Sequence, residues 1–280
     1  MSLEVHLDAL LPQEMAEKAE VAGVRKAALS FLPLFALAML AGAFIGLGAM
    51  FATTTAAATS TLPYGVARLL IGLVFCLGLI LVVVGGAELF TGNNLIVMAW
   101  ANRKISTWSL LRNWLIVYIG NFVGSLGTAV LVFIGKQYAG GGGSVGEAAL
   151  KIAVGKVNLG FVQALALGIL CNGLVCLAIW LTYSARSVAD KILAILFPIS
   201  AFVAAGFEHS VANMYFIPYA LLIKAFDPAF VVAKEIDLSG LTWGSFFLKN
   251  LLPVTLGNII GGAVLVAAMY WFIYLRNKKS

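Results

Sequence analysis

Charge is scarce in this sequence. Asp, Glu, Lys and Arg make up 11% of the 280 residues, less than half of the ~25% usual for soluble domains. With 62% apolar residues and a mean hydropathy of +1.01, that shortage excludes a soluble globular domain and excludes disorder. The net charge of +6 is not the footprint of a nucleic-acid binder, because the 18 basic residues are scattered singly or in short groups between apolar runs. Cysteine is rare too. Cys76, Cys171 and Cys176 all lie inside apolar runs; an odd count with none in a polar loop argues against a disulfide framework, and they read as buried thiols acting as small hydrophobes. No signal peptide is expected either. Residues 1–30 mix Glu4, Asp8, Glu14, Glu17, Lys18, Glu20, Arg25 and Lys26 in a polar helical pattern, so the first apolar run serves as its own insertion signal.

What the chain has in quantity is apolar runs of bilayer length, about 20 residues or more. They fall at about 31–52, 64–101, 107–135, 159–183, 189–225 and 246–275. The fold expected is an all-α membrane protein forming one transmembrane domain over 1–280: an amphipathic N-terminal helix within 1–30, a first repeat over 31–135 and a second over 159–275. Gly42, Gly46 and Gly48 offer small-residue packing on one face of the first run. Lys and Arg set the orientation. Lys18, Arg25, Lys26, Arg103, Lys104, Arg112, Arg186, Lys191, Arg276, Lys278 and Lys279 fall on one side, and the other seven of the 18 on the opposite side. Both termini are therefore expected in the cytoplasm.

The second and fifth runs are too long for one straight span, and they repeat each other. Gly86-Ala87-Glu88 followed by Asn93 matches Gly206-Phe207-Glu208 followed by Asn213, at an offset of 120. The third and sixth runs match at an offset of 137: Arg112-Asn113, Gly120-Asn121 and Gly124 against Lys249-Asn250, Gly257-Asn258 and Gly261. Three helices plus three in inverted topology follow, with broken second and fifth spans. In that arrangement the site lies near the midplane on the broken helices. Non-helical backbone survives at membrane depth only inside protein or beside water, so the segments at 88–91 and 207–211 are expected in the interior, with half-helix N-termini aimed at whatever lies between them.

Glu88, Glu208 and His209 are the ionisable groups expected at depth, where such residues are expensive and point to function. Each carboxylate also reads as a cap or lock for the neighbouring chain break. His209 has Leu89 as its counterpart. That asymmetry favours a substrate-facing imidazole, with a satisfied core histidine as the alternative. Phe75 and Leu79, four residues apart, read as a constriction or as packing. Asn172 reads as an interhelical hydrogen bond or as a substrate contact. Lys26 and Lys156, each just before a span, read as snorkelling flanks.

The segments Gly85-Gly86-Ala87-Glu88-Leu89-Phe90-Thr91-Gly92, Gly168 to Ala178, Gly206 to Met214 and Pro253 to Gly262 together resemble the formate/nitrite transporter family over nearly the whole chain. The resemblance implies an aquaporin-like six-helix protomer in a homopentamer, in the inner membrane, with a pore for small monovalent anions in each protomer. It implies that Thr91 and His209 are the central polar pair, Phe75 and Phe202 the outer slit, and Leu79, Leu89 and Val175 the inner slit. Asn172 and Asn258 resemble pore-lining amides, Lys26 and Lys156 vestibule lysines, and Glu88, Glu208 and Phe90 supporting residues. Ala185 to Lys191 and Leu11-Pro12 resemble the formate branch. Gly92 resembles the nitrite branch, which is the alternative, with acetate, lactate and hydrosulfide as further small anions. No cofactor, metal or nucleic-acid partner is expected, and no enzymatic activity. A neutral-solute channel lacks its twin Asn-Pro-Ala signature here. A bis-His haem carrier lacks a second membrane histidine, since His6 sits in the polar N-terminal segment. The expected route draws an anion into a vestibule and holds it at Thr91. There His209 can protonate it, so that a neutral acid crosses the dry slit.

Overall fold

The structure, a computed structural model, describes residues 9–59 and 61–276. Glu4, His6, Asp8, Lys278 and Lys279, used above in reading the termini, lie outside the described residues. Within them the chain is all helical, with no strand. Five helices are long and apolar enough to cross a membrane: α2 (Phe31–Ala58), α3 (Tyr64–Gly85), α5 (Thr107–Ile134), α7 (Phe161–Ser184) and α11 (Trp243–Tyr274). The rest are shorter: α1 (Pro12–Ala27), α4 (Val97–Ala101), α6 (Ser144–Val157), α8 (Val188–Ala204), α9 (Ser210–Phe226) and α10 (Pro228–Val232).

The amphipathic N-terminal helix is α1. Pro12 opens it, where a missing N–H costs nothing, and Glu14 Oε2 accepts the Leu11 N–H at 2.7 Å. Met15, Ala16, Ala19, Gly23 and Ala27 form its buried face. That face lies on α4 and on the tight turn Gly92–Ile96 before it, close enough that a Cβ on Gly23 would stand 3.1 Å from Ala99 Cβ. The run-by-run reading holds no element between 136 and 158. The structure has α6 there, too short and too charged at its ends, with Glu147 and Lys156, to register as an apolar run.

Small residues decide how the long helices cross. A Cβ on Gly42 would stand 2.1 Å from the Asn121 carbonyl oxygen, and one on Gly124 1.9 Å from that of Met39, so α2 and α5 touch backbone to backbone. In α7 and α11, Gly257 and Gly261 do the same against Leu165 and Ile169, at 2.3 and 2.1 Å. Lipid tails are as apolar as leucine, so close contact of this kind, rather than hydrophobic burial, holds such helices together.

Candidate functional site

Both long runs leave the helix where the shared motif begins. After α3, Gly86 takes φ +80° and the N–H groups of Gly86 and Ala87 both return to the Val82 carbonyl. After α8, Gly206 takes φ +77°, and Gly206 and Phe207 donate to Val203 and Phe202. Only glycine enters this left-handed region without strain. The chain then runs non-helically over 87–91 in one half and 207–209 in the other.

Lipid offers no partner to loose backbone groups, and the same side chains supply them in each half. Asn121 accepts the Phe90 N–H at 2.8 Å and donates to the carbonyls of Glu88 and Ala38. Asn258 accepts the Ser210 N–H at 2.9 Å and donates to those of Glu208 and Gly168. Glu88 N–H donates to Leu37, and Glu208 N–H to Leu167. The carboxylates are locked alike. Lys26 Nζ stands 2.6 Å from Glu88 Oε1, with Asn93 on Oε2 and Asn113 behind it. Lys156 Nζ stands 2.7 Å from Glu208 Oε1, with Asn213 and Asn250 on Oε2. Glu88 and Glu208 side chains are 7% and 5% exposed. They would be costly charges without these lysines.

Between the two locks the halves part company. Thr91 Oγ1 meets His209 Nε2 at 2.9 Å, and both residues are buried. His209 Nδ1 accepts the Ala212 N–H at 3.0 Å as the cap of α9. The neutral ring therefore carries its proton on Nε2 and donates it to Thr91. Phe202 stacks on the imidazole at 6.0 Å and 21°, and Phe75 meets Phe202 edge-on at 5.6 Å and 82°. These three rings, with Arg68, Lys156 and Glu208, line a cavity of about 260 Å³. On the other side Leu89, Lys26, Glu88 and Asn93 line a second cavity of about 570 Å³, rimmed by Lys18 and Lys191. Burial, followed by Arg186 and Lys191, holds the Lys18 ammonium below its ordinary pKa, which marks this rim as electropositive.

Of the residues expected at the inner slit, Leu89 reaches the second cavity, while Leu79 and Val175 pack in the surrounding core. The expected pore-lining amides have other work. Asn172 Nδ2 donates to Thr91 and Asn258 carbonyls and to Asn94 Oδ1, and all three polar groups of Asn258 go to backbone. Cys176 Sγ also reaches the Thr91 carbonyl, at 3.3 Å. Phe90 turns onto Tyr118 and Trp114 rather than toward His209. Lys26 and Lys156, read as vestibule lysines or as snorkelling flanks, line the two cavities and are each ion-paired. Residues not singled out for the site complete it: Asn94, Asn121, Phe207, Phe216, and Arg68, whose guanidinium donates to the Val203 and Ala204 carbonyls at the end of α8. Asn121 carried a signal in its match to Asn258; Arg68 and Phe216 carried none.

The formate/nitrite transporter family profile matches residues 13–272. The formate channel FocA of Escherichia coli strain K12 is 46% identical over 281 residues, covering 99% of each chain. That of Haemophilus influenzae is 40% identical over 269 residues, 95% of each. A solved structure described as a pentameric formate channel with formate bound superposes with a TM-score of 0.81 at 42% identity, covering 88% of this chain and 98% of that one. With its apolar helices of bilayer length, its paired chain breaks and this likeness over nearly its full length, the chain belongs to the formate/nitrite transporter family.

Proposed function

We propose that this protein is a membrane channel, not an enzyme, that carries formate through a pore in each protomer of a homopentamer. The observation that carries this reading is the buried Thr91–His209 pair, set between two cavities that each contain a lysine–glutamate pair. The relatives named as formate channels, and the pentameric relative with formate bound, support the substrate and the assembly. The matching hydrogen-bond sets support an inverted three-plus-three repeat of six spans, with 31–135 and 159–275 as its halves and 1–30 as a cytoplasmic helical arm. The excess of Lys and Arg on the side of both termini supports a cytoplasmic location for them in the inner membrane.

A bare anion crossing a dry slit meets an idealised cost on the order of 20 kcal/mol, and Phe75 and Phe202 offer it no dipole. The His209 Nε2–H and the Thr91 hydroxyl do, and α9 points its positive end at the same place. A hydrogen bond from His209 needs no change in the ring. Proton transfer needs more: as the Nε2 proton passes to the anion, His209 must take one on Nδ1 from vestibule water, releasing the Ala212 N–H, so each neutral acid formed consumes one proton from water. The anion then leaves as a neutral acid, which also removes the membrane-potential cost of about 2.3 kcal/mol per charge per 100 mV. Gly92, the residue that resembles the nitrite branch, faces the Ile179 side chain, where a Cβ would meet only the Cδ1 end, 2.5 Å away.

Stopped-flow uptake into proteoliposomes tests the reading. Formate is expected to move faster than nitrite, faster still as pH falls from 8 to 5, and the pH dependence is expected to vanish in His209→Phe. Preference for nitrite would overturn the substrate assignment. Unchanged pH dependence in the variant would overturn the proton step.

A further inference from the structure

The two lysine–glutamate locks share most of their bonds and differ in two: Asn250 reaches Glu208 Oε2 where Asn113 does not reach Glu88, and the lysines differ in their second partner. In the first, Lys26 Nζ bonds both Glu88 Oε1 and Asn93 Oδ1, at 2.6 and 3.1 Å. In the second, Lys156 Nζ bonds Glu208 Oε1 alone. Asn213 Oδ1, the counterpart of Asn93 Oδ1, is fully buried and has no partner. Its amide is not reversed, because Asn213 Nδ2 donates to Glu208 Oε2 and Asn250 Oδ1, both at 2.7 Å. A buried acceptor left empty is costly, and in the first half the lysine fills the matching one, so something keeps Lys156 from doing the same. The ring of Phe216 is in place to do so: Lys156 Nζ lies 5.3 Å from its centroid, within cation–π range. At the matching position, 120 residues earlier, the first half has Ile96, which offers a cation nothing. Phe216 and Lys156 both line the cavity that ends at His209.

We infer that Phe216 is a positioning residue that holds the Lys156 ammonium out in the His209-side vestibule, making that mouth the tighter-binding one for the anion. With one donor committed to Glu208, the remaining N–H groups of Lys156 face the cavity instead of Asn213. Lys26, though its side chain is 30% exposed against 15% for Lys156, divides its donors between Glu88 and Asn93 and so has fewer N–H groups to offer. The difference makes the two mouths unequal in capture while leaving the central Thr91–His209 step common to both directions. The inference rests on the transport reading above, and deepens it by giving anion capture a sidedness.

The test uses the full-length protein reconstituted in one orientation, with formate flux measured from each side over a range of concentrations. Wild type is expected to half-saturate at a lower formate concentration from the Lys156 side. Phe216→Ile is expected to raise that concentration about threefold to tenfold, the range a cation–π contact supplies, with maximal flux changed less than twofold and the Lys26 side unmoved. Phe216→Tyr and Phe216→Trp, which keep a ring face, are expected to stay near wild type. A Phe216→Ile protein with both half-saturation values unchanged, or a Tyr variant as impaired as the Ile variant, would overturn the inference. An experimental structure of Phe216→Ile reads the same claim without transport. Lys156 Nζ within hydrogen-bond distance of Asn213 Oδ1 would support it, and Nζ still held in the vestibule would overturn it. A wild type that carries no formate would strike the transport reading, and that structure would still decide the position of Lys156.

Discussion

Lys26 and Lys156 each stand one residue before the end of a short helix, each facing a glutamate two residues past a left-handed glycine. Asn121 and Asn258 stitch the two chain breaks with the same three kinds of bond. Yet Leu89 stands opposite His209, Thr91 opposite Val211, Phe90 opposite Ser210 and Ile96 opposite Phe216. The duplicated positions are those that satisfy backbone groups and charges at membrane depth, a problem both halves share. Among the unduplicated ones, Leu89, His209 and Phe216 line the two cavities, while Phe90 packs on Tyr118 and Trp114. The polar pair at the centre takes one residue from each half, at positions that do not correspond, so neither half could form it alone.

The comparison breaks most severely at the ion pairs. Removing one partner of a buried pair strands the other and costs about 3–5 kcal/mol. Glu208→Ala is expected to lower the thermal unfolding midpoint in detergent more than Glu88→Ala does. The reason is that Lys156 is 15% exposed and Lys26 30%, so water rescues Lys26 better. Equal losses would mean that the locks are energetically interchangeable. Next come the crossings. Gly124→Ala and Gly261→Ala each push a methyl into a carbonyl oxygen, at 1.9 and 2.1 Å, and should cost about 1–3 kcal/mol or more apiece in the same assay. Loss in one alone would show that the two crossings bear unequal load.

Arg68 sharpens the comparison from another side, since its counterpart is Val188. Arg68→Met removes two bonds that tie off the end of α8 and should lower stability by about 1 kcal/mol. A matching insertion, Val188→Arg, should add none. The smallest effect concerns Lys18. Its pKa is lowered by burial, Arg186 and Lys191. The folded protein therefore binds fewer protons than the unfolded chain just below pH 10.5, and stability rises with pH in that range. Lys18→Gln should flatten that rise in alkaline unfolding curves.

The left-handed glycines, the asparagines that tie off loose backbone and the burial of His209 were legible in the sequence, because glycine at a left-handed turn, asparagine for loose backbone and a lone deep imidazole are choices that few other residues can replace. The helix α6 was not. It is short and half-polar, and only the later match of Lys156 to Lys26 gives it away. Which of the two readings given to Lys26, Lys156 and Asn172 the structure would display was not legible either. A lysine beside a span reads the same whether it snorkels or closes an ion pair 62 residues away, as Lys26 does with Glu88. An asparagine at membrane depth reads the same whether it faces a substrate or a carbonyl. Those outcomes depend on which helices meet, and Gly42, Gly124, Gly257 and Gly261 set that through contacts between runs distant in sequence.

The polar pair exists only where the two motifs meet, at Thr91 and His209. Thr91→Val removes one hydroxyl and keeps the shape, so it tests the role of the pair most directly. Formate uptake in proteoliposomes is expected to fall at least about tenfold, the equivalent of 1.4 kcal/mol for one lost charge-assisted bond, with stability lowered by about 1–3 kcal/mol because the buried His209 Nε2–H loses its acceptor. Uptake equal to wild type in a stably folded Thr91→Val protein would contradict the account.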